Sequence, residues 1–150
     1  MKLSNLAKNF EKIFKEQASE LDGVYVMRLP DQISFYKGST NPCDFVAYKR
    51  PHGFCIELKT TAGSSMPLKN IADTQLEGMY EAIQTRGIKA YVVIWFYEHD
   101  VTVAFPIKYI WRMVNKQGKK SVRYDDDNGI VIPAEKIKKY FKYDWSVLFR

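Results

Sequence analysis

The stretch Pro42-Cys43-Asp44, followed after a turn by Ile56-Glu57-Leu58-Lys59, sets two carboxylates and an ammonium group in a pattern that can act on a phosphate. Residues 43–48 and 53–59 read as two short strands joined by Lys49-Arg50-Pro51-His52, a hairpin signal. Alternate residues of a strand share a face, so Cys55, Glu57 and Lys59 point one way and Phe54, Ile56 and Leu58 the other, into a core. Pairing Tyr48 with Gly53 across the turn puts Asp44 directly opposite Glu57, with Cβ atoms roughly 5 Å apart. Carboxylates that close repel, so a purely structural role for the pair is costly. A divalent cation removes the conflict: magnesium prefers oxygen ligands and takes one or two carboxylates, with water and phosphate filling its other positions. Such an ion polarises a scissile phosphate and lowers the pKa of a bound water. Lys59, on the same face, can orient that water or stabilise charge growing on the phosphate. The competing reading is an exposed hairpin carrying a solvated Glu–Lys pair, since Glu-x-Lys by itself is very common.

Several elements must hold these residues in place. A helix is predicted from about Asn70 to Arg86, ending at Gly87, with an apolar stripe of Ile71, Ala72, Met79, Ala82 and Ile83. Gln75 lies between Ile71 and Met79 at four-residue spacing and should face inward with them. A buried amide needs partners: either Gln75 reaches the edge of the carboxylate site, or nearby backbone satisfies it. An earlier helix is predicted from Ser4, a plausible N-cap, to Leu21, with Leu3, Leu6, Phe10, Ile13, Phe14 and Ala18 as its stripe and Glu11 bordering it. Gly23–Leu29 and Val101–Phe105 read as strands, and the apolar run Ala90–Phe96 as a strand covered on both faces. Ile107–Asn115 reads as a helix, Thr60–Lys69 and Lys116–Asn128 as loops, and Pro133–Phe141 as a short final helix. The order predicts an α/β fold, a mixed β-sheet flanked by helices.

The chain of 150 residues suits one domain, 1–150. Its net charge of +6 is unevenly spread: residues 1–106 hold twelve basic and twelve acidic residues, and 107–150 hold eleven basic against five acidic. A basic C-terminal lobe from about 107 implies a polyanionic partner, with Lys119, Lys120 and Arg123 among the side chains expected to meet phosphates. Cys43 and Cys55 have neither zinc-ligand nor redox-motif spacing and are read as reduced thiols of a cytoplasmic protein. No apolar run approaches the ~18 residues that cross a membrane. His52 and His99 fall in turns, and no Ser/His/Asp grouping or glycine-rich phosphate loop is present.

The Pro-x-Asp…Glu-x-Lys arrangement after an N-terminal helix is similar to the PD-(D/E)XK nucleases, and in more detail the chain resembles the RecU-type Holliday junction resolvases of Gram-positive bacteria and their phages. Asn9-Phe10-Glu11, Ser39-Thr40-Asn41-Pro42-Cys43-Asp44-Phe45, Ile56-Glu57-Leu58-Lys59-Thr60 and Met66-Pro67-Leu68 followed by Ile71 and Gln75 carry the resemblance, over roughly residues 9–106. It implies a restriction-endonuclease-like sheet and a homodimer that cuts four-way DNA junctions symmetrically, in recombination and repair, with magnesium or manganese at each site. Asp44 and Glu57 would be metal ligands, Lys59 catalytic, Gln75 and Glu11 further site members (Glu11 towards the metal), and Thr40 and Thr60 DNA contacts. Residues 29–40 leave room for only a short version of the family's protruding stalk, as in a compact, phage-type member. Tyr109, Trp111, Tyr140, Phe141, Tyr143 and Trp145 offer aromatic surface for a dimer or for the core. The rival readings are a PD-(D/E)XK nuclease acting on other DNA, in restriction or end processing, and a catalytically inactive DNA-binding module; the intact Asp44/Glu57/Lys59 set weighs against the last.

Overall fold

The computed structural model describes residues 3–30, 41–138 and 140–150. Helix α1 (Leu3–Ser19) leads into strand β1 (Tyr25–Arg28), then β2 (Phe45–Lys49), β3 (His52–Thr61), the short β4 (Ser65–Pro67) and helix α2 (Asp73–Ala82). After β5 (Ile88–Phe96) and β6 (Val101–Pro106) come α3 (Ile107–Asn115), β7 (Ser121–Arg123), β8 (Ile130–Val131), β9 (Ala134–Ile137) and β10 (Tyr140–Tyr143). One six-stranded sheet runs in the order β1-β2-β3-β5-β6-β8. Its β3–β5 pair is parallel, bridged by α2, and its other pairs are antiparallel. This is the mixed, helix-flanked sheet that the element order predicts.

Alternation along the strands sorts the core into two layers. Phe54, Ile56 and Leu58 face α1, where Phe10, Phe14 and Trp145 are at most 1 % exposed. Val92, Ile94 and Phe96 face the other way, against Leu76 and Met79 of α2 and Ile110 of α3. β3 and β5 therefore lie between two apolar layers, which removes the solvated hairpin as a reading of Glu-x-Lys. Residues 107–150 contribute to both sides: α3 and β7 pack with the α2 layer, and the β9–β10 hairpin with the α1 layer.

The structure departs from the sequence expectations in four places. Residues 133–141 form no helix: β9 and β10 pair in register Ile137 with Tyr140 and Ala134 with Tyr143. Tertiary contacts outweigh the helix propensity of Ala, Glu and Lys there. The Gln17 amide bonds the Phe141 carbonyl (2.8 Å), the Tyr143 N–H (2.9 Å) and the Trp145 indole (3.2 Å), holding β10 as a neighbouring strand would. The expected loops at 60–69 and 116–128 supply β4 and β7, which pair with each other and bury Met66 and Val122. In α2 it is Leu76, not Ala72, that is buried, because the helix starts at Asp73 and Ala72 is its exposed N-cap position. Ser4 lies within α1 and is not its cap.

Candidate active site

The β2–β3 register is Tyr48 with Gly53 and Phe45 with Ile56, which continues to Asp44 opposite Glu57. Asp44 sits just before β2, and its Oδ2 accepts the Leu58 N–H at 2.9 Å, so the main chain of β3 fixes the carboxylate beside Glu57. Its own carbonyl accepts the Leu29 N–H at 2.8 Å, tying it to the end of β1. Glu57 is 2 % exposed. Its Oε2 takes the Lys59 ammonium at 3.1 Å and the Gln75 amide N–H at 3.0 Å. Its Oε1 is buried with no hydrogen-bond partner. Burial first, and then the Asp44 charge, push the Glu57 carboxyl up to about 7, while Lys59 pulls the other way.

Gln75 explains itself by valence. It is the third residue of α2, and its Oε1 accepts the otherwise unpaired Ala72 N–H at 3.3 Å. That leaves its NH2 group to face the Glu57 carboxylate. The helix start is thereby locked to the site. Gly78, one turn further on, lets α2 lie against Pro42: a Cβ on it would fall 2.9 Å from the Pro42 Cβ, two residues before Asp44.

The donor set suits a hard cation. A buried carboxylate oxygen without a partner normally requires an explanation, and two adjacent carboxylates with one raised pKa are poised to exchange a proton for a metal. Among the described residues no group of three or more His, Cys, Asp or Glu side chains forms a complete metal cage. Two carboxylates leave most positions of a hard cation to water or phosphate, which is how magnesium is usually held. Beside the pair, the buried Cys43 thiol is held well above its usual range by the Cys55 thiol and by burial. Both cysteines are free, as the sequence implied.

The family model described as "RecU: Recombination protein U" matches residues 10–143. The chain belongs to the RecU family. Membership makes it a Holliday-junction-resolving nuclease of DNA recombination and repair. Among solved structures, Archaeoglobus fulgidus Hjc, described as a Holliday junction resolvase from an archaeal hyperthermophile, is similar at 18 % identity over 80 % of this chain and 84 % of that one, with a TM-score of 0.46. No curated protein matches the sequence.

In this RecU-family chain the remaining expected residues fall at different distances from the carboxylate pair. Glu11, on α1, is held by Arg28 of β1 at 3.2 Å, one residue before Leu29 and its bond to Asp44. Thr60 is half-buried and, by alternation along β3, lies on the α1 face, opposite to Glu57 and Lys59. Lys119 and Lys120 line an open groove of about 890 Å³ together with Lys69, Asp73 and Leu76 at the start of α2. Arg123 is engaged by Asp125 at 2.9 Å and lies over the Tyr124 ring. Thr40, the rest of the Ser39-Thr40 approach and Lys139 fall outside the described residues. Of the aromatics offered to a dimer, Tyr143 and Trp145 are spent in the core, whereas Tyr140 is 49 % exposed. Sequence reasoning missed Arg28 and Lys69. Neither has a motif around it, and a strand-end Arg two residues before a turn was the one available hint. Among the described residues no helix is long and apolar enough to cross a membrane.

Proposed function

We propose that this protein resolves four-way DNA junctions by magnesium-dependent phosphodiester hydrolysis, with Asp44 and Glu57 as the metal ligands and Lys59 as the catalytic ammonium that orients the attacking water or stabilises charge on the phosphate; manganese, with the same oxygen preference, would substitute. The observation that carries this reading is the buried Glu57 carboxylate, with one oxygen unpartnered and a pKa pushed up to about 7. A bound magnesium supplies charge for the phosphate and acidifies a water. The chain does the rest. The Leu58 N–H holds Asp44 in place, and Gln75 and Lys59 hold Glu57 Oε2, which leaves Glu57 Oε1 free to take an ion. Lys59, with a side chain 22 % exposed, can turn its remaining N–H groups to the attacking water or the phosphate oxygen. Water's oxygen bonds to phosphorus as the P–O bond to the leaving strand breaks; one water proton ends on the leaving oxygen, which becomes the strand's free hydroxyl, and the other passes to solvent from the new phosphate monoester. Glu11 would be a further site member, held by Arg28, whose neighbour Leu29 bonds the Asp44 carbonyl.

DNA would run along the groove of Lys69, Lys119 and Lys120, with Arg123 and Thr40 as further contacts and Thr60, on the other face of β3, left out of them; phosphate contacts of this kind position the backbone without reading sequence. A junction has approximate two-fold symmetry and needs two cuts, and one chain carries one Asp44/Glu57/Lys59 set, so a homodimer supplies the second. The reduced Cys43 and Cys55 thiols suit the cytoplasm. The test compares labelled four-way junctions with linear duplex in magnesium, beside gel shifts in calcium. Asp44→Asn and Glu57→Gln are expected to bind junctions but not cut them. Near-normal cutting by either variant would refute the site, and equal cutting of linear duplex would refute the junction preference.

A further inference from the structure

We propose that the bare face of β1 and β2 beside Asp44, formed by Tyr25, Met27 and Tyr48, is a platform for bases that lose their stacking neighbours at the branch point of a junction, and that it sets the preference for a junction over linear duplex. The inference rests on the nuclease reading above. Strand register lays out the face. Val26 and Ala47 pack in the α1 layer, so by alternation Tyr25, Met27, Val46 and Tyr48 lie on the opposite face, the one that carries Glu57 and Lys59. Leu29 and Val46 pack with the α2 layer, as that placement requires. Asp44 has Glu57 on one side and Leu29 on the other, and the Leu29 N–H donates to its carbonyl at 2.8 Å. Val46 pairs with Met27 in the next row, and Tyr48 with Tyr25 in the row after that. Two residues along a strand advance about 7 Å, so the rows lie about 7 and 13 Å from Asp44. At about 3.4 Å per stacked nucleotide, that reaches roughly the second to the fourth nucleotide from a phosphate held at Asp44.

Helices α2 and α3 pack over β5 and β6 and leave this end of the face open. Tyr25 is 65 % exposed, Tyr48 52 % and Met27 42 %, three of the five large hydrophobic side chains exposed among the described residues. At ~200 Å² per side chain they leave about 300 Å² uncovered. A partner in a standard protein–protein interface contributes about 800 Å², so the patch suits a smaller, planar occupant. Its charge points the same way. Arg28 and Lys49 alternate to the α1 face, where Arg28 is held by Glu11, so the patch presents no cation to a phosphate. An uncharged aromatic shelf takes bases, whose faces stack on it. Linear duplex keeps those faces covered by neighbouring base pairs, whereas arms that open at a branch point free the faces of the pairs flanking it. The lysine groove meets the backbone that both substrates share. It opens at the start of α2, where Gln75 reaches Glu57, and the shelf begins on the far side of Asp44. Groove and shelf belong to one face of the sheet, with the carboxylate pair between them.

The experiment binds the full chain, in calcium, to a junction of fixed sequence carrying iodouracil at the branch point, with the same label in the middle of an arm as control. Irradiation is expected to crosslink Tyr25 or Tyr48 to the branch-point label and not to the arm label, read by mass spectrometry of the peptides. Tyr25→Ala/Tyr48→Ala is expected to bind the junction about tenfold more weakly or worse, with the ratio of junction to duplex affinity falling by the same factor. Tyr25→Phe/Tyr48→Phe, which keeps both rings, is expected to restore that ratio. Branch-point crosslinks that fall outside Tyr25, Met27 and Tyr48, or an alanine variant with the wild-type ratio, would overturn the inference and leave the nuclease reading standing. So would light scattering that finds wild type a dimer and the alanine variant a monomer, because a second copy would then cover the face. A wild-type protein that neither binds nor cuts junctions would overturn the nuclease reading, and the inference with it.

Discussion

Replacing Glu57 with glutamine should make the protein more stable at alkaline pH while removing its activity. Glu57 is 2 % exposed, and burial together with Asp44 raises its carboxyl from an ordinary 4.5 to about 7 despite Lys59. At about 1.4 kcal/mol per pH unit, the ionised carboxylate costs the fold about 3 kcal/mol that the unfolded chain does not bear. The folded state binds the proton more tightly, so the favourable contribution is complete below pH 4.5 and is lost as pH rises through 7. Glutamine keeps the size and the acceptor for Lys59 and Gln75 but carries no charge. The two proteins should therefore melt alike near pH 5, and the variant should melt higher at pH 9 by roughly 6–12 °C, taking about 2–4 °C per kcal/mol for a chain of this size. Thermal unfolding in EDTA between pH 5 and 9, followed by circular dichroism, measures the gap. Adding magnesium at pH 9 should raise wild type and leave the variant where it is, because only the wild-type pair binds the ion. A variant that melts lower than wild type at pH 9 in EDTA would show that the ionised carboxylate is a net structural contributor, and would refute the reasoning.

Gly78→Ala removes a helix-interior glycine, a gain of about 1 kcal/mol in helix propensity, but sets a Cβ 2.9 Å from Pro42; melting near that of wild type with cleavage down about tenfold is expected, and unchanged cleavage would show that the Pro42 contact does not position Asp44. Lys59→Ala should abolish cleavage and move the Glu57 carboxyl further above about 7, since Lys59 is the group that lowers it; a carbon-13 NMR titration in which Glu57 does not move would contradict that pairing. Lys119→Ala with Lys120→Ala should flatten the salt dependence of DNA binding by roughly two units, and an unchanged slope would turn the groove away from DNA.

The carboxylate pair was legible because its register depends on a local turn. Once Tyr48 pairs with Gly53, strand alternation alone carries Asp44 opposite Glu57 and puts Lys59 beside it. Gln75 was legible as an inward-facing amide in an apolar stripe, although its double role, capping Ala72 and holding Glu57, needed the angle at which α2 meets the sheet. The depth of Glu57 was not legible, because it comes from helices packed on both faces of β3 and not from β3 itself. The pairing of Ser65–Pro67 with Ser121–Arg123 joins three-residue strands more than fifty residues apart, too short for any periodicity to show. The C-terminal hairpin was hidden for a different reason. Its Ala, Glu and Lys favour a helix locally, and what makes it a strand pair is a glutamine side chain on α1, over a hundred residues away. Lys69 and Arg28 acquire their places only from such long-range contacts.

The most direct test of the carboxylate pair is an anomalous difference map from crystals of this protein grown with manganese. One peak per chain is expected, roughly 2 Å from Glu57 Oε1 and from an Asp44 carboxylate oxygen, and it should vanish in Glu57→Gln. A map with no peak between Asp44 and Glu57, or with manganese at the Asp125-Asp126-Asp127 run instead, would contradict the assignment of these two residues as the metal site.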